Sequence, residues 1–218
     1  MTIQALPPGW GKDALTVYLD AYRANQFATF ANKPTAMADL IKIDGLFDRL
    51  LNGAMNPQPI YPMNFMLRAH SAFRSGVTAV MGGQIFESHG LLRLSLEHAA
   101  YGYYIGSDSG RMERWLRRDE SGDNRKSVRK EFHNEKIKGY IEASAPQMLK
   151  IYNHLYNQLI EFGAHPNEMG YSLNSNVSEV DGNVHFETLY LQGDSIQLDM
   201  SMKVAGQVGF TADAIAIQ

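Results

Sequence analysis

Between Asn64 and about Gly106 the chain reads as two long helices separated only by Gly82-Gly83, and that stretch restricts the fold to a helical bundle. Phe65, Leu67, Ala72, Phe73, Val77 and Val80 recur at helical spacing before the glycines. A second helix is expected from about Gln84 to Ile105, ended by the turn-forming run Gly106-Ser107-Asp108-Ser109-Gly110. Amphipathic helices of this length gain most of their stability by burying an apolar face, so other helices must cover these two. Gly82-Gly83 predicts a bend or a close helix approach, because glycine has no side chain and tolerates unusual torsions.

The flanking segments supply the cover. Leu15, Tyr18, Leu19, Tyr22, Phe27 and Phe30 predict a helix over about 13–31, stopped by Asn32 and Pro34. Thr35 is the expected cap of the next, which carries Met37, Leu40, Ile41, Phe47 and Leu50 to Asn52-Gly53. Pro57, Pro59 and Pro62 make the following segment an extended connector. Beyond Gly110 come two basic amphipathic pieces separated by Ser121-Gly122-Asp123, then a helix opened by Pro146 that carries Met148, Tyr152, Leu155, Leu159 and Phe162.

From Gly170 the pattern alternates. YSLNSNVSEV, Asp181-Gly182 and NVHFETLYL predict a β-hairpin over 171–191, and Ile196, Met200, Val204, Val208, Ala212 and Ile215 predict a closing helix. The expected fold is therefore mainly α: a helical bundle with a C-terminal β-hairpin followed by a closing helix. It forms one domain over 1–218, with an N-terminal helical hairpin at 13–54, a core bundle at 64–163, the hairpin at 171–191 and the closing helix at 195–218.

Composition narrows the function classes. A chain of 218 residues buries roughly 70% of its unfolded surface, so it needs no covalent staples. With no cysteine there is no disulfide, thiolate metal site or thiol nucleophile, which fits a cytoplasmic protein. No run approaches the roughly 18–20 apolar residues of a membrane span, and the start lacks the order of a secretory signal. A net charge of −3 argues against a dedicated duplex-binding protein. Arg111–Lys138 does carry ten Lys/Arg against six Asp/Glu, a local surplus that reads as a solvated helical surface or a polyanion- or partner-binding patch.

Two polar spots interrupt the apolar helices. His89, Arg93 and Glu97 stand four residues apart on one helical stripe, and buried charges there need partners. The second is His165-Pro166-Asn167, where Pro166 holds His165 extended and should end the helix near Gly163 or Ala164. Each spot reads either as a structural contact or as part of a site. In the second case Arg93, Glu97, His165 and Asn167 are the candidate ligand-binding residues, in a cleft with Tyr104 and Tyr156. Nucleotide-binding loops, serine elbows and zinc or di-iron motifs are absent from the sequence, so no cofactor and no metal is expected.

The string RLSLEH places Arg93 and His98 in the R-x4-H arrangement and resembles the active-site motif of HEPN-domain ribonucleases. Those are compact helical dimers in which the arginine and histidine act on a phosphodiester near the dimer axis. The resemblance implies a metal-independent ribonuclease with Arg93 and His98 as catalytic residues and RNA as partner. Residues five apart on an unbroken helix point about 140° from each other, so the two would meet across a dimer interface or through a distorted turn. The order of Arg93, Glu97, Trp115, Arg118, His165 and Asn167 also resembles a group of uncharacterised bacterial helical proteins over about 64–167.

Three functions are expected from these readings. The first is a non-enzymatic helical interaction module that self-associates as a homo-oligomer, with a protein partner and no membrane. The others are the HEPN-like ribonuclease and a small-ligand or anion binder at the Arg93/Glu97/His165 cleft.

Overall fold

The computed structural model describes residues 6–55, 60–164 and 168–216. Those residues form ten α-helices and one two-stranded antiparallel hairpin, with the last helix after the hairpin. The expected mainly α fold is therefore the one observed. No helix among the described residues is long and apolar enough to cross a membrane.

Local chemistry sets most of the boundaries. α1 (Ala14–Asn32) starts after Asp13, whose carboxylate accepts the Thr16 N–H at 2.9 Å. α2 (Pro34–Gly53) differs from expectation: Thr35 lies inside its first turn, and Pro34 opens it. Proline's fixed φ and missing N–H suit a first turn better than a cap would require. α3 (Tyr61–Met81) likewise begins before Pro62, so the expected connector is already helical at Tyr61. Pro57 and Pro59 lie outside the described residues.

The turn at Gly82-Gly83 leads into α4 (Ile85–Gly106), so α3 and α4 lie along one another. Gly83 has φ +87°, its carbonyl accepts the Gln192 N–H at 2.9 Å, and a Cβ there would stand 2.3 Å from the Gln192 carbonyl oxygen. Only glycine meets both conditions.

α5 (Ser109–Leu116) and α6 (Gly122–Glu131) follow, the latter capped by Ser121, which accepts the Asn124 N–H at 3.0 Å. The second basic piece is not one helix, because Phe132 turns inward, is buried, and breaks it before α7 (Asn134–Ser144). α8 (Pro146–Leu159) continues over Ile160–Ala164 into a kink at Gly163, whose φ of 161° is not helical, where the sequence placed the helix end.

The hairpin begins later than expected. Residues 171–174 belong to α9 (Glu168–Asn174), followed by β1 (Ser175–Val180) and β2 (Asn183–Thr188). The Asn174 side chain donates to the Gly170 carbonyl and accepts from the Gln192 amide, both at 2.9 Å, so a helical turn closes before the strand can start. Asp181 and Gly182 both take positive φ, as a two-residue hairpin turn requires. Val177 pairs with Phe186, and every residue of β2 is exposed.

α10 (Ile196–Ala216) returns through the middle of the bundle and touches α2, α3, α4 and α8. Phe73, Leu92, Leu96, Leu155, Val208 and Ala212 are buried together there. Each such side chain contributes about 1.5–3 kcal/mol when fully removed from water, which is what holds the unrelated helices in register.

Candidate functional site

Arg93 and Glu97 occupy successive turns of α4, and α8 brings two tyrosines to them. Tyr156 donates its hydroxyl to Glu97 Oε1 at 3.1 Å. Arg93 Nε lies 3.3 Å from the same oxygen, yet it is buried and has no hydrogen-bond partner among the described residues, so the two form an ion pair without hydrogen-bond alignment. The side chains are 24% and 30% exposed, which leaves the pair at the edge of the core with one side open to water. Tyr152 stacks on Tyr156 with ring centres 5.6 Å apart, and the Lys138 ammonium from α7 sits 5.3 Å over the Tyr156 ring.

Tyr101, one turn beyond Glu97, completes the stripe and donates to the Phe132 carbonyl at 2.8 Å. Burial raises the pKa of Tyr101, Tyr152 and Tyr156 alike, and the nearby Glu97 charge adds to each shift. All three phenols therefore stay protonated near neutrality and act as donors, not as bases. The cluster can hold α8 against α4 or present the Arg93 guanidinium to an anion.

His89 shares the stripe in sequence but not its surroundings. Four residues turn a helix by 400°, so each step drifts about 40° and carries the row from solvent at Glu97 into the interior at His89. There Nδ1 lies 2.7 Å from the Ile85 carbonyl, the ring centre is 6.5 Å from that of Phe162, and burial lowers the histidine's pKa.

His98 leaves α4 on another face, with its ring 6.1 Å from the Phe65 ring. Burial first, and then the Arg68 charge, lowers its pKa. α4 is one helix from Ile85 to Gly106, so Arg93 and His98 diverge within the chain. Tyr104 also stands apart from Tyr156: it packs against Phe132 and Tyr140, and Arg111 covers its ring at 4.0 Å. Trp115 meets the Phe65 ring edge-on at 5.4 Å, and Arg118 pairs with Asp119 at 3.5 Å. His165 and Asn167 lie outside the described residues. No group of three His, Asp or Glu among the described residues could hold a metal ion.

The basic stretch is substantially neutralised from within. Arg114 grips Glu131 with two nitrogens at 2.8 and 2.5 Å, Arg117 reaches Glu120 at 2.9 Å, and Arg125 meets Asp119 at 3.1 Å.

The sequence reading missed a second polar cluster. Asp44 on α2 accepts from Arg74 Nε and Nη2 at 2.7 and 2.8 Å, and His70 Nε2 lies 2.6 Å from the same carboxylate. The buried His70 ring lies flat on Phe47, 4.8 Å away at 5°. Arg74 lowers the Asp44 pKa most, and His70 adds to it. Nearby on α10, Asp213 is buried with Oδ1 unpartnered among the described residues, and burial raises its pKa against the pull of Arg49 and His70. The signal was present in the spacing: Asp44 and Asp48 stand four apart on one helix, as do His70 and Arg74 on the next.

A groove of ≈ 1040 Å³ runs between α2 and α10. Ile41 and Phe210 line it with 56% and 59% exposure, and Phe210 also borders a second hollow of ≈ 460 Å³ between α8 and α10, beside the exposed Ile151. Comparison with family models, with curated proteins and with solved structures finds no match to this chain.

Proposed function

We propose that this chain is a non-enzymatic helical interaction module that self-associates through the α2/α10 face. The observation that carries the reading is Phe210, an aromatic ring held in solvent between two hollows. A knob beside a hole is what a twofold interface needs, because each copy then inserts its ring into the hollow of the other. Charge agrees with that occupant. Asp39, Asp199, Lys42, Lys203 and Arg49 put both signs in the groove, with Asp39 paired to Lys42 and Asp199 to Lys33, so a second copy of the same mixed charge fits it better than a uniformly charged partner.

Sedimentation from micromolar to hundreds of micromolar tests this. The expected result is a concentration-dependent dimer that Phe210→Glu reduces to monomer while helicity is retained. A wild-type chain that stays monomeric throughout, or a dimer indifferent to Phe210→Glu and Ile41→Glu, overturns it.

Anion capture at Arg93 is a second reading, supported by the Arg93 Nε that is buried without a hydrogen-bond partner among the described residues. Phosphate or a simple carboxylate should then raise the melting temperature, and Arg93→Ala should remove the rise. No shift with any anion rejects it without touching the first reading.

A further inference from the structure

α4, the end of α8, α9 and α10 enclose a cleft of ≈ 200 Å³, distinct from both polar clusters and from the α2/α10 groove. Its floor includes Ile85, His89 and Val204, all buried, and its mouth is bordered by the exposed Ile196 and Met200. No lysine, arginine, aspartate or glutamate lines it among the described residues. Asn174 and Gln192 border it too, but they satisfy each other through the 2.9 Å bond between their amides.

His89 differs from those two. Its Nδ1 lies 2.7 Å from the Ile85 carbonyl, an acceptor, so Nδ1 must carry the hydrogen. In the neutral ring Nε2 is then an acceptor. Burial keeps the ring neutral and the lone pair available.

We propose that this cleft binds a small uncharged ring compound bearing one N–H or O–H, which donates to His89 Nε2 while its ring lies against Phe162, Ile85 and Val204. Volume sets the size class: an apolar cavity of about 150 Å³ takes benzene, so this one takes a ring of phenol or indole dimensions. The absence of charged walls excludes ionised ligands, whose desolvation nothing here would offset. The site is independent of self-association.

Calorimetric titration of the full chain with indole and p-cresol, against their donor-less shape matches indene and p-xylene, tests the proposal. The expected result is saturable binding with the donor-bearing member of each pair roughly tenfold tighter. His89→Phe should equalise the members of each pair without abolishing binding, and Ser201→Leu, which fills the cleft from α10, should abolish binding of all four. Absence of saturable binding to the wild-type chain, or equal affinity for indole and indene, overturns the proposal. That wild-type comparison decides the matter even where a variant fails to fold.

Discussion

Tyr156 and Glu97 stand 59 residues apart in the chain, yet the tyrosine hydroxyl donates to the carboxylate at 3.1 Å and ties α8 to the polar stripe of α4. The bond lies at the edge of the core, where water can partly replace it. Tyr156→Phe keeps the stacked ring and removes only the donor, so the expected loss is about 1 kcal/mol by denaturant midpoint. An unchanged midpoint would mean that water serves Glu97 equally well.

The cluster around Asp44 is asymmetric in burial, and that asymmetry is measurable. Asp44→Ala strands the buried His70 Nε2 and should cost about 2–3 kcal/mol. Arg74, whose side chain is 54% exposed, can be rehydrated, so Arg74→Ala should cost under about 1 kcal/mol. A double-mutant cycle checks the ranking; equal losses would place the energy in the arginine instead.

Alkaline stability follows from the phenols. Tyr101, Tyr152 and Tyr156 have folded pKa values raised above their ordinary value of 10.0, foremost by burial. Above that pH the unfolded chain releases protons that the folded chain retains, so their contribution is full below pH 10.0 and is lost as pH rises through the folded values. Tyr152→Phe removes the most buried of the three and should move the alkaline limb of a stability profile to higher pH. A limb that does not move contradicts the assignment.

In acid the buried His89 acts in the opposite direction. Burial depresses its folded pKa below 6.5, so stability is full above pH 6.5 and declines as pH falls through the folded value. His98 shares the direction. His89→Phe should flatten that part of the profile, as measured by melting temperature between neutral pH and pH 5, while a profile equally steep in the variant assigns the slope to other groups.

Two glycine replacements should have opposite signs. Gly83→Ala meets both the positive φ and the Gln192 carbonyl, and should lose about 2 kcal/mol or more. Gly90 lies inside α4 with nothing within 4 Å of an added Cβ, so Gly90→Ala should gain about 0.5–1 kcal/mol. Thermal unfolding of the two variants checks the contrast.

Helices, turns and the hairpin could be read from residues because their causes are local. Asp13 caps the turn that follows it, Pro146 opens its own helix, and Asp181-Gly182 folds back the strands that flank it. At two places where the reading erred, a distant group had intervened. Phe132 breaks a basic helix because the core takes its ring, and residues 171–174 stay helical because Asn174 is held by Gln192.

Of the polar residues, the Arg93–Glu97 contact was legible because four residues make about one helical turn. Tyr156 was already expected in a cleft with that pair, but Tyr101 and Tyr152 were not, nor was the meeting of Asp44 with His70 and Arg74, nor the burial of His89 away from its own stripe. Periodicity tells which residues share a face of one helix. Which faces then meet depends on how all the helices together remove apolar surface from water, and only the assembled bundle decides that.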